Sequence, residues 1–463
     1  MRALHWFRAD LRLADNTALA AAAARADSLG CLFVLDEHLL ARSGRPRLRF
    51  LHACLAALDG ELARRGQRLR VRRGDPRREV PRLARELGAE LVSWNRDTSP
   101  YARRRDAAVR GALERAGVRV LEAKDRVVFE SGELRTGAGQ AFRVFTPFRN
   151  AWWRRFEAAP PPEPAPLRLP APVPSEAADA LPDLAALGLD GAGPELPAAG
   201  EAAARRRLAR FLDGAVADYA RARDLPGVDG TSRLSPQLRF GTLSPRACFA
   251  AGREAAAREP KLRAGVAKWL DELVWREFYA AILEEHPRVL GHAFRPEFER
   301  VRWNEDEAGF AAWCEGRTGH PIVDAGMRQL KSTGWMHNRA RMLAASFLVK
   351  DLLLDWRRGE AFFMRHLVDG DPASNNGGWQ WSASTGTDAQ PWFRIFSPVA
   401  QGERFDPEGA YVRRFVPELR DVPDRLVHRP WEAPALCPGY PAPIVDHAER
   451  RRLAIRRFEE ARA

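Results

Sequence analysis

The chain has 463 residues, 45% of them hydrophobic and 29% charged, and a formal net charge of +13. Length and composition suit a globular protein of two or three domains and argue against a disordered one. With no apolar run of about 18 residues, no membrane span is expected, and the charged start MRALHWFRADLRL is no signal peptide.

The positive charge makes a polyanionic partner worth testing, although only five of the 74 basic residues are lysine, a bias that a GC-rich genome also produces. Five cysteines are scattered without CxxC or His/Cys clustering. That argues against a zinc site or a disulfide framework and favours a reducing cytoplasm.

Residues 1–125 alternate short apolar runs (ALHWF, CLFVL, LRVR, ELVSW, VRVLEA) with helical stretches (TALAAAAARA, RLRFLHACLAALDGELARRG, REVPRLARELG, ARRRDAAVRGALERAG). Such alternation predicts a parallel sheet with helices on both faces. No GxGxxG follows the first strand, so a dinucleotide site of the NAD type is not indicated. Residues 160–174, PPPEPAPLRLPAPVP, contain eight prolines and read as an extended connection. From about residue 201 every apolar segment has helical spacing. The expected organisation is a Rossmann-like α/β domain over 1–130, a Pro/Ala-rich linker over 131–200 and an all-α domain over 201–463.

Within that helical part, DGTSRLSPQLRFGTLSP places Ser235 and Ser244 before prolines, as N-caps with proline at the first helical position. Hydroxyls and N–H groups at such a helix start suit a pyrophosphate; plain double capping is the simpler alternative. In KWLDELVWREFY, residues Trp269, Glu272, Trp275, Arg276 and Tyr279 share a helix face about 120° wide. An aliphatic core face or a solvent face would not carry that mixture; a wall that stacks on flat groups and bonds their edges would. A surface pair is the plainer alternative for Glu272 and Arg276. In TGWMHNRARM, Asn338 and Met342 are one turn apart, and His337 is read as structural. In DGDPASNNGGWQW, Asp369, Asp371, Asn375 and Asn376 precede two glycines; no further ligand completes an oxygen cage, so hydrogen bonding to a cofactor is preferred over a metal. No helical or strand period organises NNGGWQWSASTGTDAQPWFRIFSP, and Trp392 in it is assigned to packing.

The motifs WFRADLRLADNTAL, FTPFRNAWW, DGTSRLSP, ELVWREFY, TGHPIVDAGMRQLKSTGWMHNRARM and DGDPASNNGGWQWSASTGTDAQPWFRIFSP together resemble the photolyase/cryptochrome family, collinearly over essentially the whole chain. The resemblance is closest to bacterial class I cyclobutane pyrimidine dimer photolyases. It implies a light-dependent DNA-repair lyase in which reduced, anionic FAD donates an electron to a flipped-out dimer. Tyr219, Thr231, Ser232, Leu234 and Ser235 would line the FAD phosphates and ribityl. Trp269, Glu272, Arg276, Asn338, Arg341, Asp369, Asp371 and Asn375 would surround the rest, Asn375 facing flavin N5. Glu272, Trp275, Asn338, Met342 and Trp381 would form the dimer pocket, and Glu272 would bond the pyrimidine edge. Trp379, Trp356 and Trp303 would be the proximal, middle and surface members of an electron-transfer chain. Arg223, Arg339 and Arg394 are the candidate phosphate contacts.

Histidines of (6-4) photolyases are absent at Asn338 and Met342, and the aspartate of plant cryptochromes is absent at Asn375. For the antenna chromophore, Tyr101-Ala102 stands where folate-binding relatives carry Asn-Glu. Arg47 and Asp97 match the pocket of deazaflavin (8-HDF) binders, which favours that pigment over methenyltetrahydrofolate or FMN. The expected partner is dimer-containing DNA, with no membrane and no obligate protein partner, for a cytoplasmic, nucleoid-associated monomer. The alternatives are a cryptochrome-like photoreceptor without repair and a flavin redox enzyme without DNA.

Overall fold

Strands Arg2–Phe7, Ser28–Asp36 and Leu91–Asn95 of the α/β part are almost wholly buried, as expected when helices cover both faces of a sheet, while the edge strand Arg119–Ala123 is only partly covered. A computed structural model of the chain describes residues 1–164, 166–174 and 179–463, so residue 165 and residues 175–178 of the expected linker lie outside the described residues. The chain forms two compact units. One comprises Met1–Gly193, Pro197–Ala217 and Ser232–Pro287; the other comprises Pro194–Leu196, Asp218–Thr231 and Arg288–Ala463. Compactness therefore groups residues 201–217 and 232–287 with the sheet.

In the first unit, β1 (Arg2–Phe7), β2 (Ser28–Asp36), β3 (Leu69–Gly74), β4 (Leu91–Asn95) and β5 (Arg119–Ala123) form a parallel sheet in the order β3-β2-β1-β4-β5. The expected linker is not featureless. It holds a helix, Phe145–Ala158, and a two-residue strand β6 (Ala171–Pro172) that pairs with Ser28–Leu29 at the start of β2. Strand order reverses between β1 and β4, where doubly wound sheets open a ligand crevice beyond the strand ends. Here Asn95, at the end of β4, donates to Asn16 Oδ1 at 2.7 Å and to Asp10, tying the two loops together.

Helices Phe145–Ala158, Pro245–Arg258 and Arg263–Glu285 complete this unit. Its internal anchor is Glu277. The fully buried carboxylate accepts from Val128 N (2.6 Å), Phe129 N (3.3 Å) and Trp152 Nε1 (2.7 Å). Burial pushes the carboxyl upward, against those three donors, and the bonds join the segment after β5 to two helices.

The second unit is built from helices and irregular segments around one core that includes Trp313, Trp356, Trp379, Phe347 and Phe363. Trp303 and Trp392 pack on its margin.

Two local expectations are corrected. Ser244 caps its helix as expected, accepting from Ala247 N at 3.0 Å. Ser235 does not cap: it is the first residue of helix Ser235–Phe240, and Leu234 holds the cap position without a side-chain bond. The preceding Arg233 takes up the turn with φ of +48°, a left-handed conformation that costs a non-glycine residue about 1 kcal/mol or more. The second correction concerns NNGGWQW, which has no apparent period yet lies in helix Pro372–Ala383. Asp371 caps this helix through Ala373 N and Ser374 N, both at 3.1 Å, with proline at the first position. That start signal outweighs the low helix propensity of the two glycines.

Candidate functional site

Helix Arg263–Glu285 carries the mixed face in the first unit. Trp269 is 2% exposed and packs on Phe211 with ring centroids 5.2 Å apart. Trp275 is half-buried and stacks on Phe145, with centroids 3.6 Å apart and planes 9° from parallel. Glu272 Oε1 lies 3.7 Å from Lys268 Nζ, one turn earlier. Arg276 Nη1 donates to the Arg126 carbonyl at 2.7 Å. In the same unit the Ser232 carbonyl accepts from Arg207 at 2.7 Å, Leu234 is buried and Ser235 is exposed.

The second unit gathers most of the other candidates. Asn338, exposed at the start of helix Asn338–Ser346, places Nδ2 3.6 Å from Met342 Sδ, so these two share a face. His337 caps that helix, accepting from Arg339 N at 3.1 Å, in keeping with a structural role. Arg341 points elsewhere: it donates to the Met336 carbonyl (2.9 Å) and to Asp369 Oδ2 (2.8 Å). Arg339 pairs with Asp224 at 2.7 Å and lies over Phe405, Arg223 lies over buried Tyr219, and Arg394 is exposed. Thr231 is half-buried at the end of the 218–231 segment.

On helix Pro372–Ala383, Trp379 and Trp381 point to nearly opposite sides, because two residues turn a helix by about 200°. Trp379 is 2% exposed, 4.9 Å from Phe363 and 6.0 Å from Trp313 by ring centroids. It packs on Gly359, where an added Cβ would fall 2.1 Å from the indole. Trp381 is half-buried, and a Cβ at Gly378 would meet open space. Gly359 belongs to the helix that begins at Trp356. Asn304, beside Trp303, clasps the chain just before that helix: its N–H donates to Leu353 O (2.7 Å) and its Nδ2 to Leu352 O (2.8 Å). The clasp holds buried Leu353 at a φ of +56°. Thus the three candidate tryptophans lie on elements that are directly tied to one another.

The buried polar atoms without a hydrogen-bond partner among the described residues include Asp369 Oδ1 and Trp379 Nε1. An unpaired buried group costs about 1–3 kcal/mol, so an acceptor and a donor stand ready for a polar ligand.

Sequence reasoning missed Glu360. Its carbonyl accepts from Asn375 Nδ2 (3.1 Å) and its carboxylate from Asn376 Nδ2 (3.2 Å). The EAFF context carries no signal for this; the pairing needs two helices brought together. Burial pushes the Glu360 carboxyl up to about 7, from 4.5 for the free group. Folding therefore retains its proton, and the contribution of this group to stability is greatest below pH 4.5 and falls as pH rises toward about 7. Glu360→Gln should remove this loss. Relative to the parent, the variant should gain roughly 3 kcal/mol between acid and neutral pH, read from denaturant midpoints at both. A pH-independent difference would show that Glu360 ionises as freely folded as unfolded.

The antenna candidates lie in the first unit with separate partners. Buried Arg47 donates to the Arg42 carbonyl at 3.1 Å. Asp97 pairs with Arg126 and accepts from Ser99 N at 2.9 Å. Although burial opposes it, Arg126 holds the Asp97 carboxyl well below the usual carboxylate range. Tyr101 stacks on His38 (4.3 Å, 7°) and donates to Asp36 Oδ2 at 2.6 Å. Among the described residues no cluster of three or more His, Cys, Asp or Glu could hold a metal, and no helix is long and apolar enough to cross a membrane.

The family described as DNA photolyase matches residues 3–166, and the FAD binding domain of DNA photolyase matches residues 269–460. The chain is 44% identical to the deoxyribodipyrimidine photo-lyase of Halobacterium salinarum over 99% of each chain. Among solved structures it is similar to a class III photolyase from Agrobacterium tumefaciens, with a TM-score of 0.91 and 38% identity over 99% of this chain and 97% of that one. It is also similar to an archaeal photolyase from Sulfolobus tokodaii holding two FAD molecules, with a TM-score of 0.83 and 34% identity over 99% and 100%.

Proposed function

The chain belongs to the DNA photolyase family, and from that premise we propose that it is a deoxyribodipyrimidine photo-lyase, splitting cyclobutane pyrimidine dimers in DNA by light. The observation that carries this reading is similarity over both domains at once: 99% of the chain aligns with a relative of that name.

FAD is the cofactor, and the residues present fit it. Asp369 Oδ1 offers a buried acceptor while Arg341 holds its other oxygen. Asp371, Asn338 and Asn375 add polar groups, and Trp269, Glu272 and Arg276 would bind the cofactor as well. Tyr219, Thr231, Ser232, Leu234 and Ser235 would take the phosphates and ribityl. When bound in its reduced anionic form, FAD supplies the light-activated electron that opens the cyclobutane ring.

The chain's own residues do the rest. A dimer inside a duplex must be flipped out to be reached, at a lower cost than a normal base because it is poorly stacked. Trp275 and Trp381 would flank it, with Asn338 and Met342 beside them. Glu272 would bond the pyrimidine edge and stabilise the charge that develops there. Trp303, Trp356 and Trp379 would relay electrons inward to restore the reduced cofactor. Arg394 and Arg223, with Arg339 beside its partner Asp224, would meet phosphates, making binding salt-sensitive.

For the antenna we favour an 8-HDF-type deazaflavin over methenyltetrahydrofolate or FMN. Arg47 and Asp97 support it, as does Tyr101-Ala102 standing where folate binders carry Asn-Glu. We read the protein as a monomer of the reducing cytoplasm, working on the nucleoid without an obligate protein partner. Its five cysteines are free, and burial pushes the thiols of Cys31, Cys54 and Cys248 up to about 12, which suits that setting. Dark binding gives a direct check: the holoprotein should prefer a dimer-containing duplex over the same duplex undamaged. Equal affinity for the two would remove the lesion pocket from the account.

A further inference from the structure

Trp356, the middle candidate of the electron relay, is 1% exposed and carries a cation on its face. The Arg357 guanidinium carbon lies 4.8 Å from the indole centroid. Three groups of the second unit hold it there. Arg357 Nε donates to the Gly291 carbonyl at 2.8 Å, Nη1 to Asp355 Oδ2 at 3.1 Å and Nη2 to Glu299 Oε2 at 2.7 Å. Asp355 is in turn set by the helix it starts, where it accepts from Arg357 N at 2.9 Å. The charge is therefore fixed over the ring and does not wander into solvent.

A neutral indole attracts a cation through its ring quadrupole. An indole that has lost an electron is itself positive, and the same guanidinium then repels it. The contact stabilises reduced Trp356 and opposes its oxidised form. Trp303 differs on both counts. It is half-buried on the margin of the core, and among the described residues no cation lies over its ring. Lys350 Nζ lies 3.4 Å from the Phe458 ring against which Trp303 packs, but burial pushes that amine's pKa well down, toward the uncharged form. We propose that Arg357 gives the relay its outward direction, by disfavouring the electron vacancy on Trp356 relative to Trp303. Oxidised Trp379 takes one electron from Trp356, oxidised Trp356 takes one from Trp303, and a thiolate in solution refills Trp303 with one. Arg357 acts through Trp356 and is no carrier itself. Its carboxylate partners soften its field in the parent; with Arg357 replaced by a neutral residue they are left uncompensated, so both changes favour a positive Trp356. The proposal rests on the reading of Trp303, Trp356 and Trp379 as a relay.

The test excites holoprotein carrying oxidised FAD with a flash, without thiol, and follows the decay of the flavin and tryptophan radicals by absorbance. In the parent the vacancy rests on Trp303 and returns to flavin through the small share of time it spends on Trp356. Arg357→Gln should raise that share, and with it the decay rate, by about tenfold, within what a cation on an aromatic face is worth. Arg357→Lys keeps the charge and should keep most of the parent lifetime, which separates the charge from any loosening of the helix start. In a Trp303→Phe background the vacancy has no outer site, so adding Arg357→Gln should not speed the decay further. Parent-like decay in Arg357→Gln overturns the proposal. So does equal acceleration by Arg357→Lys, or a tenfold effect of Arg357→Gln that persists without Trp303. Parent-like decay in Trp303→Phe alone would instead strike the relay reading, by showing that the vacancy never rests on Trp303.

Discussion

Replacing Trp379 by phenylalanine should stop light from reducing bound oxidised FAD while sparing repair by protein that has been reduced chemically beforehand. The indole is buried on Gly359, edge-on to Phe363, and its ring nitrogen has no partner among the described residues. Phenylalanine keeps an aromatic ring on the helix but loses the far edge of the indole that meets Gly359, leaving a small cavity there. What it removes is the readily oxidised indole, and a phenyl ring gives up an electron far less easily. The photoreduction rate should fall by roughly 100-fold or more, equivalent to a barrier higher by about 2.7 kcal/mol. The flavin absorption under continuous light gives that rate, and a dimer-splitting assay after dithionite gives the second number. If both fall together, Trp379 shapes the pocket and is no relay.

Trp275→Ala should weaken binding of dimer-containing DNA by roughly 1–3 kcal/mol, the worth of one base stacked on an aromatic ring. Affinity for undamaged duplex and FAD content should be unchanged. Because Trp275 also stacks on Phe145, truncation alone could loosen the helix beneath it. Trp275→Phe separates the two roles, since it retains a ring against Phe145 and a platform for the lesion, and it should recover most of the lost affinity. Full dimer affinity in the alanine variant would place the lesion elsewhere.

The five main strands of the sheet were legible because each is a short run bounded by helical stretches, whereas the two-residue strand Ala171–Pro172 in the proline-rich stretch carries no such signal. Helix Arg263–Glu285 was equally readable, since the mixture on one face is visible from spacing alone. Helix Pro372–Ala383 was not: its glycines and amides hide the period, and its start depends on the capping bonds of Asp371. Ser235 misled for the opposite reason, since a serine before proline has the composition of a cap whether or not the chain turns there. Glu360 and Asn304 were beyond reach, because their roles exist only through partners 15 or more residues away. The candidate residues themselves were identified largely by resemblance; what the fold adds is which of them are buried, which are tied together and which buried polar atoms await a ligand.

Light-driven splitting of the lesion is the defining property of the proposed lyase. Chemically reduced holoprotein is mixed with excess dimer-containing duplex, and intact pyrimidines are counted after blue or near-ultraviolet illumination and after an equal time in the dark. The expected result is loss of dimers in the light only, with many turnovers per protein. Dimers that persist in the light, in protein that has retained reduced FAD, would contradict the lyase and leave a photoreceptor in its place.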